Sequence, residues 1–229
     1  MAFPLKKSSK LKTLALPIIK PLLSKYSILF GIIISLLLLF IATTYYPGGS
    51  QYDKYSIGYN WKKNYLSNLF GKTAVNGSHN AARPWAVAGM LFLCTSFALF
   101  FIAFSKKIPV KSASRVIRYF GVAAMILAFL IATPYHDVMV TISGTMGLVS
   151  IFYITVFVFR SQLLICKILS VACLLAFYCC NYLYYTSSYL AILPVMQKVL
   201  LFSIVLWILS LQYFTSGSDF ETRNKAAVK

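Results

Sequence analysis

Apolar residues in this chain come in long blocks and do not alternate with polar ones. Six blocks, at residues 27–45, 85–104, 116–133, 138–159, 162–184 and 190–214, each approach the roughly 20 residues a helix needs to cross a bilayer core. In lipid the backbone N–H and C=O groups must pair within their own segment, so such blocks fold as helices. The pattern predicts an all-α polytopic membrane protein, a six-helix transmembrane bundle over 27–214. A basic segment, 1–26, precedes the bundle and a tail, 215–229, follows it. Lysines precede the first block, as in a signal peptide. Its apolar run, 28–42, is long for one and ends in Thr43, Thr44, Tyr45 and Tyr46 without a small-residue cleavage site, so it reads as a retained anchor.

The polar connections are unequal. The one between the first two blocks, 46–84, has 39 residues, a length that marks a functional or disordered segment. Tyr46, Tyr52, Tyr55, Tyr59, Trp61, Tyr65 and Phe70 argue against disorder and suit a membrane interface. Within this loop the spacing predicts a short helix over 60–71, with Asn60 as N-cap and Gly71 just past its end. Trp61, Tyr65 and Leu69 share one face, and Lys62, Lys63, Ser67 and Asn68 take the others. Such a helix either lies on the bilayer or packs as a lid over the bundle. Pro47-Gly48-Gly49 and Asn76-Gly77 mark tight turns, and Asn76-Gly77-Ser78 is formally a glycosylation sequon.

Composition agrees with the pattern. The chain of 229 residues is 59% hydrophobic and 11% charged, against the roughly 25% charged of a soluble domain. Its mean hydropathy is +0.76. The net charge of +18 suggests nucleic acid until its distribution is considered. The basic residues lie between apolar blocks, where topology signals belong, and no zinc-finger, RNP or P-loop pattern accompanies them, so nucleic acid is excluded as a partner. Sixteen lysines and arginines fall on the side of the two termini and five on the other, with Lys198 left inside a block. This excess places both termini in the cytoplasm and the chain in a plasma (inner) membrane. Pro17 and Pro21 are expected to interrupt a helix in the basic segment, which either follows anionic lipid or remains a plain tail. The five cysteines all lie in apolar blocks without metal-ligand spacing and read as small buried hydrophobes.

Ionisable or amide side chains at membrane depth are costly and are functional candidates. Here they gather at the end of the bundle that carries the long loop. His136 and Asp137 open the fourth block, Asn181 lies near the end of the fifth, and Gln197 and Lys198 lie early in the sixth. Ser67, Asn68, His79 and Asn80 join them from the loop. Plainer readings exist: Asp137 complements a helix start, His136 sits at the interface, and Lys198 snorkels outward. A sharper expectation is an ion pair between Lys198 and Asp137. Thr141, Ser143, Gly144 and Thr145 predict close packing of the fourth helix. No metal site or cofactor is expected, because His79 and His136 lie far apart in sequence.

The motifs Tyr46-Pro47-Gly48, Asn64-Tyr65-Leu66-Ser67-Asn68-Leu69-Phe70-Gly71, Asn80, and Pro134 with His136 resemble a family of small bacterial and archaeal multi-span membrane proteins, grouped as a domain of unknown function. The resemblance runs from about Tyr46 to the sixth block, and more distantly the family is similar to DRAM- and Sfk-type membrane proteins. It carries no activity. Asn68 stands where that family commonly has Asp, and Asn80-Ala81 replaces Asn-Pro, which weakens any acid or base role for the motif. The leading expectation is binding of a membrane lipid, a membrane-protein partner or a second copy of the chain through the polar and aromatic loop-end site. The alternative is a lipid- or isoprenoid-modifying enzyme, with His136 as acid or base, Asp137 orienting it, and Ser67 or His79 close by. A transporter ranks third, since no inverted repeat or charged path through the far half is visible.

Overall fold

The computed structural model describes residues 9–187 and 189–221, with residues 9–25 described as backbone only. Six helices follow in order: α1 (Ser9–Thr44), α2 (Arg83–Ser105), α3 (Lys111–Phe129), α4 (His136–Arg160), α5 (Leu164–Thr186) and α6 (Leu193–Phe214). All six contain a stretch long and apolar enough to cross a membrane. The described residues contain no strand, only two isolated bridges, so the fold is all-α as the blocks predict. α1 starts earlier than its apolar block, and its helical backbone passes through Pro17 and Pro21 without the expected interruption. The two prolines are four residues apart and so share one face, which confines their lost N–H donors to one side of the helix. The basic residues in 6–8 and 223–229, and the side chains of those in 9–25, lie outside the described residues.

Each helix packs on its sequence neighbour, and α2 also meets α6, so α2 to α6 form a ring with α1 laid against α2. The α1–α2 crossing is close because small residues face each other: a Cβ at Gly31 would run into Ser96. Packing within the ring is uneven along its axis. Phe100, Phe104, Ile117, Ile154, Trp207 and Leu211 interlock at the end away from the long loop. There Trp207 Nε1 donates to Ser170 Oγ at 2.8 Å, and Phe220 packs edge-on against Phe104. Lys107 closes this end. Its ammonium donates to the carbonyls of Leu211, Gln212 and Thr215 at 2.9–3.1 Å, which are acceptors the end of α6 cannot satisfy internally. Burial pushes that ammonium below the ordinary lysine range.

The loop between α1 and α2 is ordered and packs onto the other end. Leu39, Tyr46, Leu69, Ala82 and Ala86 bury a second small core there. The motif Tyr46-Pro47-Gly48-Gly49 is its corner. Tyr46 Oη donates to the Gly49 carbonyl and accepts from Val75 N at 3.1 Å. Gly49 has φ +83°, and a Cβ there would strike the Asn76 backbone, so only glycine fits. Asn76-Gly77 forms the expected turn, with Gly77 at φ +88°. The predicted helix over 60–71 does not form. A turn at 61–63 is capped by Asn60 Oδ1, Tyr65 is extended, and a 3-10 turn (Leu66–Phe70) follows. Gly71 is extended at φ −60°, not left-handed. Of the two alternatives for this segment, Leu66, Ser67 and Phe70 take the lid position over the bundle.

Candidate functional site

Aromatic side chains interlock inside the ring around Phe100 and Trp207, and on the loop side of them the helices part. A cavity of about 320 Å³ lies between α2, α4, α5 and α6, with the 3-10 turn as its roof. Its walls are mainly apolar, among them Met90, Leu93, Val140, Phe177, Leu201 and Ile204. Leu93 is ten residues along α2, about 15 Å at 1.5 Å per residue, so the cavity reaches roughly half the depth of the hydrocarbon core. Beyond that depth Phe100 and Trp207 are in contact, with ring centroids 5.8 Å apart.

The polar residues cluster on this cavity selectively. Ser67, His136, Asn181 and Gln197, four of the sequence candidates, line it together with Tyr184. Asp137 stands behind His136 at the surface, with its side chain 83% exposed. Its Oδ1 lies 2.9 Å from His136 Nδ1 and accepts from Tyr184 Oη at 2.9 Å. This is the one contact within 4 Å between a basic and an acidic side chain among the described residues. The pairing fixes the imidazole and leaves Nε2 as the nitrogen without a partner among the described residues. One step further along α4, Thr141 Oγ1 accepts from Tyr185 Oη at 2.9 Å, so two tyrosines of α5 tie the start of α4 to the end of α5. Asn181 Nδ2 donates to the Phe177 carbonyl at 2.8 Å. Among the described residues Gln197 Oε1 is buried without a hydrogen-bond partner, an acceptor offered to whatever fills the space.

The other candidates are elsewhere. Asn80 is 1% exposed and fully used by the loop. Its Nδ2 donates to the carbonyls of Asn68, Leu69 and Gly71 at 2.9–3.3 Å, and its Oδ1 accepts from Ala82 N, joining the 3-10 turn to the start of α2. Asn68 reaches Gln51 at 3.4 Å and does not border the cavity. His79 is exposed, in a separate pocket beside Lys72 and Arg83. Lys198 does not pair with Asp137, contrary to the sharper expectation. It snorkels towards the loop, donating to the carbonyls of Asn64 at 2.7 Å and Pro194 at 2.8 Å, with the Tyr59 ring 5.5 Å from its nitrogen. Thr141 and Thr145 are exposed, and Gly144 borders the cavity instead of a tight helix crossing.

Sequence reasoning gave no role to two residues that organise the site. Asn64 is fully buried, with Nδ2 donating to Gly49 O at 2.6 Å and Oδ1 accepting from Asn60 N. Its carbonyl also accepts from Tyr59 Oη, whose phenol burial pushes far above the ordinary range and so keeps a donor. The available signal was an asparagine between the aromatic residues Trp61 and Tyr65. Tyr184 had none, being one of 16 tyrosines. The described residues contain no cluster of histidine, cysteine and carboxylate that would hold a metal ion. Comparison with protein-family models, curated proteins and solved structures finds no match to this chain.

Proposed function

We propose that this chain is an integral membrane protein that binds a membrane lipid, taking an apolar chain into the loop-end cavity and holding its polar part at Ser67, His136 and Tyr184. The observation that carries the reading is the cavity itself: mainly apolar, reaching about mid-depth and bordered by hydrogen-bonding groups towards the loop. Its volume sits at the small end of the roughly 300–1,000 Å³ typical of ligand sites. Gln197 Oε1 gives the occupant an acceptor inside the apolar wall. In this reading the termini are cytoplasmic and the loop end faces the outer leaflet, in keeping with the excess of lysine and arginine on the terminal side.

Gly144 supplies the test. A Cβ there meets only Phe177, at 3.7 Å, so a larger side chain enters the cavity without striking backbone. Mass spectrometry of lipids extracted with the purified protein is expected to find one lipid class enriched with wild type. That enrichment should fall about tenfold in Gly144→Leu, a loss of one small apolar pocket's binding energy. Equal enrichment in a folded Gly144→Leu would remove the cavity from the reading.

A second reading is favoured by one observation, the 2.9 Å contact that orients His136 against Asp137. On that reading His136 is a general acid or base acting on the bound lipid, with Ser67 on the same cavity. The same spectra separate the two. A binding protein yields the same lipid from His136→Ala as from wild type, whereas an enzyme yields a chemically different one.

A further inference from the structure

The cavity leaves unexplained the positive charge on the loop side, which runs against the topological excess. We propose that two of those residues, Lys72 and Arg83, together with His79, form a second site that binds a phosphate group beside the start of α2, separate from the cavity.

The local fold brings the three together. Thr73 and His79 bridge antiparallel across the Asn76-Gly77 turn, and Asn80 N donates to Lys72 O at 3.2 Å. Lys72 and His79 thus stand on adjoining arms of one small hairpin, and Asn80 hands the chain directly to α2, whose first residue is Arg83. All three line one pocket of about 490 Å³ with Asn80, Pro84 and Val87, and none of them borders the loop-end cavity. Arg83 is preset: its Nε donates to the Phe70 carbonyl at 3.1 Å, which holds the guanidinium in place and leaves its terminal nitrogens for a ligand. A fixed guanidinium beside an ammonium matches a tetrahedral oxyanion, the first by paired hydrogen bonds and the second as a point charge.

No carboxylate neutralises this pocket. The chain has four acidic residues, Asp53, Asp137, Asp219 and Glu221, and none lines it. Two surroundings favour a lipid as the source of the phosphate. Tyr45 and Trp85 stack at 5.9 Å at the same level, as aromatic side chains do at the headgroup layer. Pro84 and Val87 give the pocket an apolar floor on the side that continues down α2.

The test compares retention of phosphatidylglycerol and phosphatidylcholine by the full chain, by native mass spectrometry from mixed-lipid nanodiscs. Lys72→Glu is the informative variant, because Lys72 is exposed and its side chain makes no hydrogen bond within the described residues. Lys54→Glu, an exposed residue of the same loop, is the control for net charge. Wild type is expected to prefer phosphatidylglycerol, Lys72→Glu to lose about tenfold of that preference, and Lys54→Glu to keep it. Equal losses in the two variants, or none in either, overturn the site. Gly144→Leu is expected to retain phosphatidylglycerol as wild type does, which separates this site from the cavity; loss there overturns the separation. Replacing chloride by inorganic phosphate at constant ionic strength identifies the source. Persistent lipid retention supports a headgroup site, and displacement supports the same site filled by free phosphate.

Discussion

In a chain with only four acidic side chains a half-buried ammonium can find its partners among neutral groups, and Lys198 does so. Two carbonyls and the face of Tyr59 receive it, so its charge holds the loop to α6 without any acid. Hydrogen bonds from charged donors contribute about 1.5–3 kcal/mol each, and the acceptors here are partly buried. Lys198→Met keeps the apolar stem and removes the donors. It is expected to lower the melting temperature measurably, whereas Asp137→Ala, on an exposed carboxylate, leaves it unchanged. The double variant should then melt where Lys198→Met does. A melting point for Asp137→Ala as low as that of Lys198→Met would restore the ion pair that the sequence suggested. Snorkelling of Lys198 was legible from its position near a helix end. Its partners were not, because Asn64 and Lys198 are separated by 134 residues and main-chain carbonyls leave no trace in composition.

At the scale of elements, the loop shows where pattern reading fails and why. The spacing of Trp61, Tyr65 and Leu69 fits a helix over 60–71, yet Asn64 spends its amide on Gly49 and Asn60, and Tyr65 turns extended. Side-chain bonds to backbone compete with the helix and win here. Asn80 then replaces the missing helical bonds for three carbonyls at once. Losing a buried donor leaves those acceptors unsatisfied, at about 1–3 kcal/mol. Asn80→Asp is therefore expected to be worse than Asn80→Ala, since it sets a carboxylate against three carbonyls in nearly the same shape. Hydrogen exchange over 66–71 should accelerate most in Asn80→Asp; faster exchange in Asn80→Ala would refute this account. The tight turns at Gly48-Gly49 and Asn76-Gly77 were readable because they depend on glycine itself.

At the scale of the whole molecule the six spans were plain from the length of the apolar blocks, and their observed bounds differ from the blocks mainly at the ends. The ring was less accessible: most of the helices are apolar on all sides, so periodicity does not say which face meets which neighbour. Nor does it say that Ser67, His136, Asn181 and Gln197 converge while His79 and Asn80 stand apart. The uneven filling of the ring has a mechanical consequence. The aromatic cluster around Trp207 is closely packed whereas a cavity lies beneath the 3-10 turn, and hydrostatic pressure favours whichever state abolishes empty volume. In delipidated protein, probes near Trp61 in the loop should respond at lower pressure than the emission of Trp207 at the closed end. Gly144→Leu, with the void occupied, should bring the two responses together. Simultaneous responses in wild type would mean that the loop-end cavity is as incompressible as the packing around Trp207.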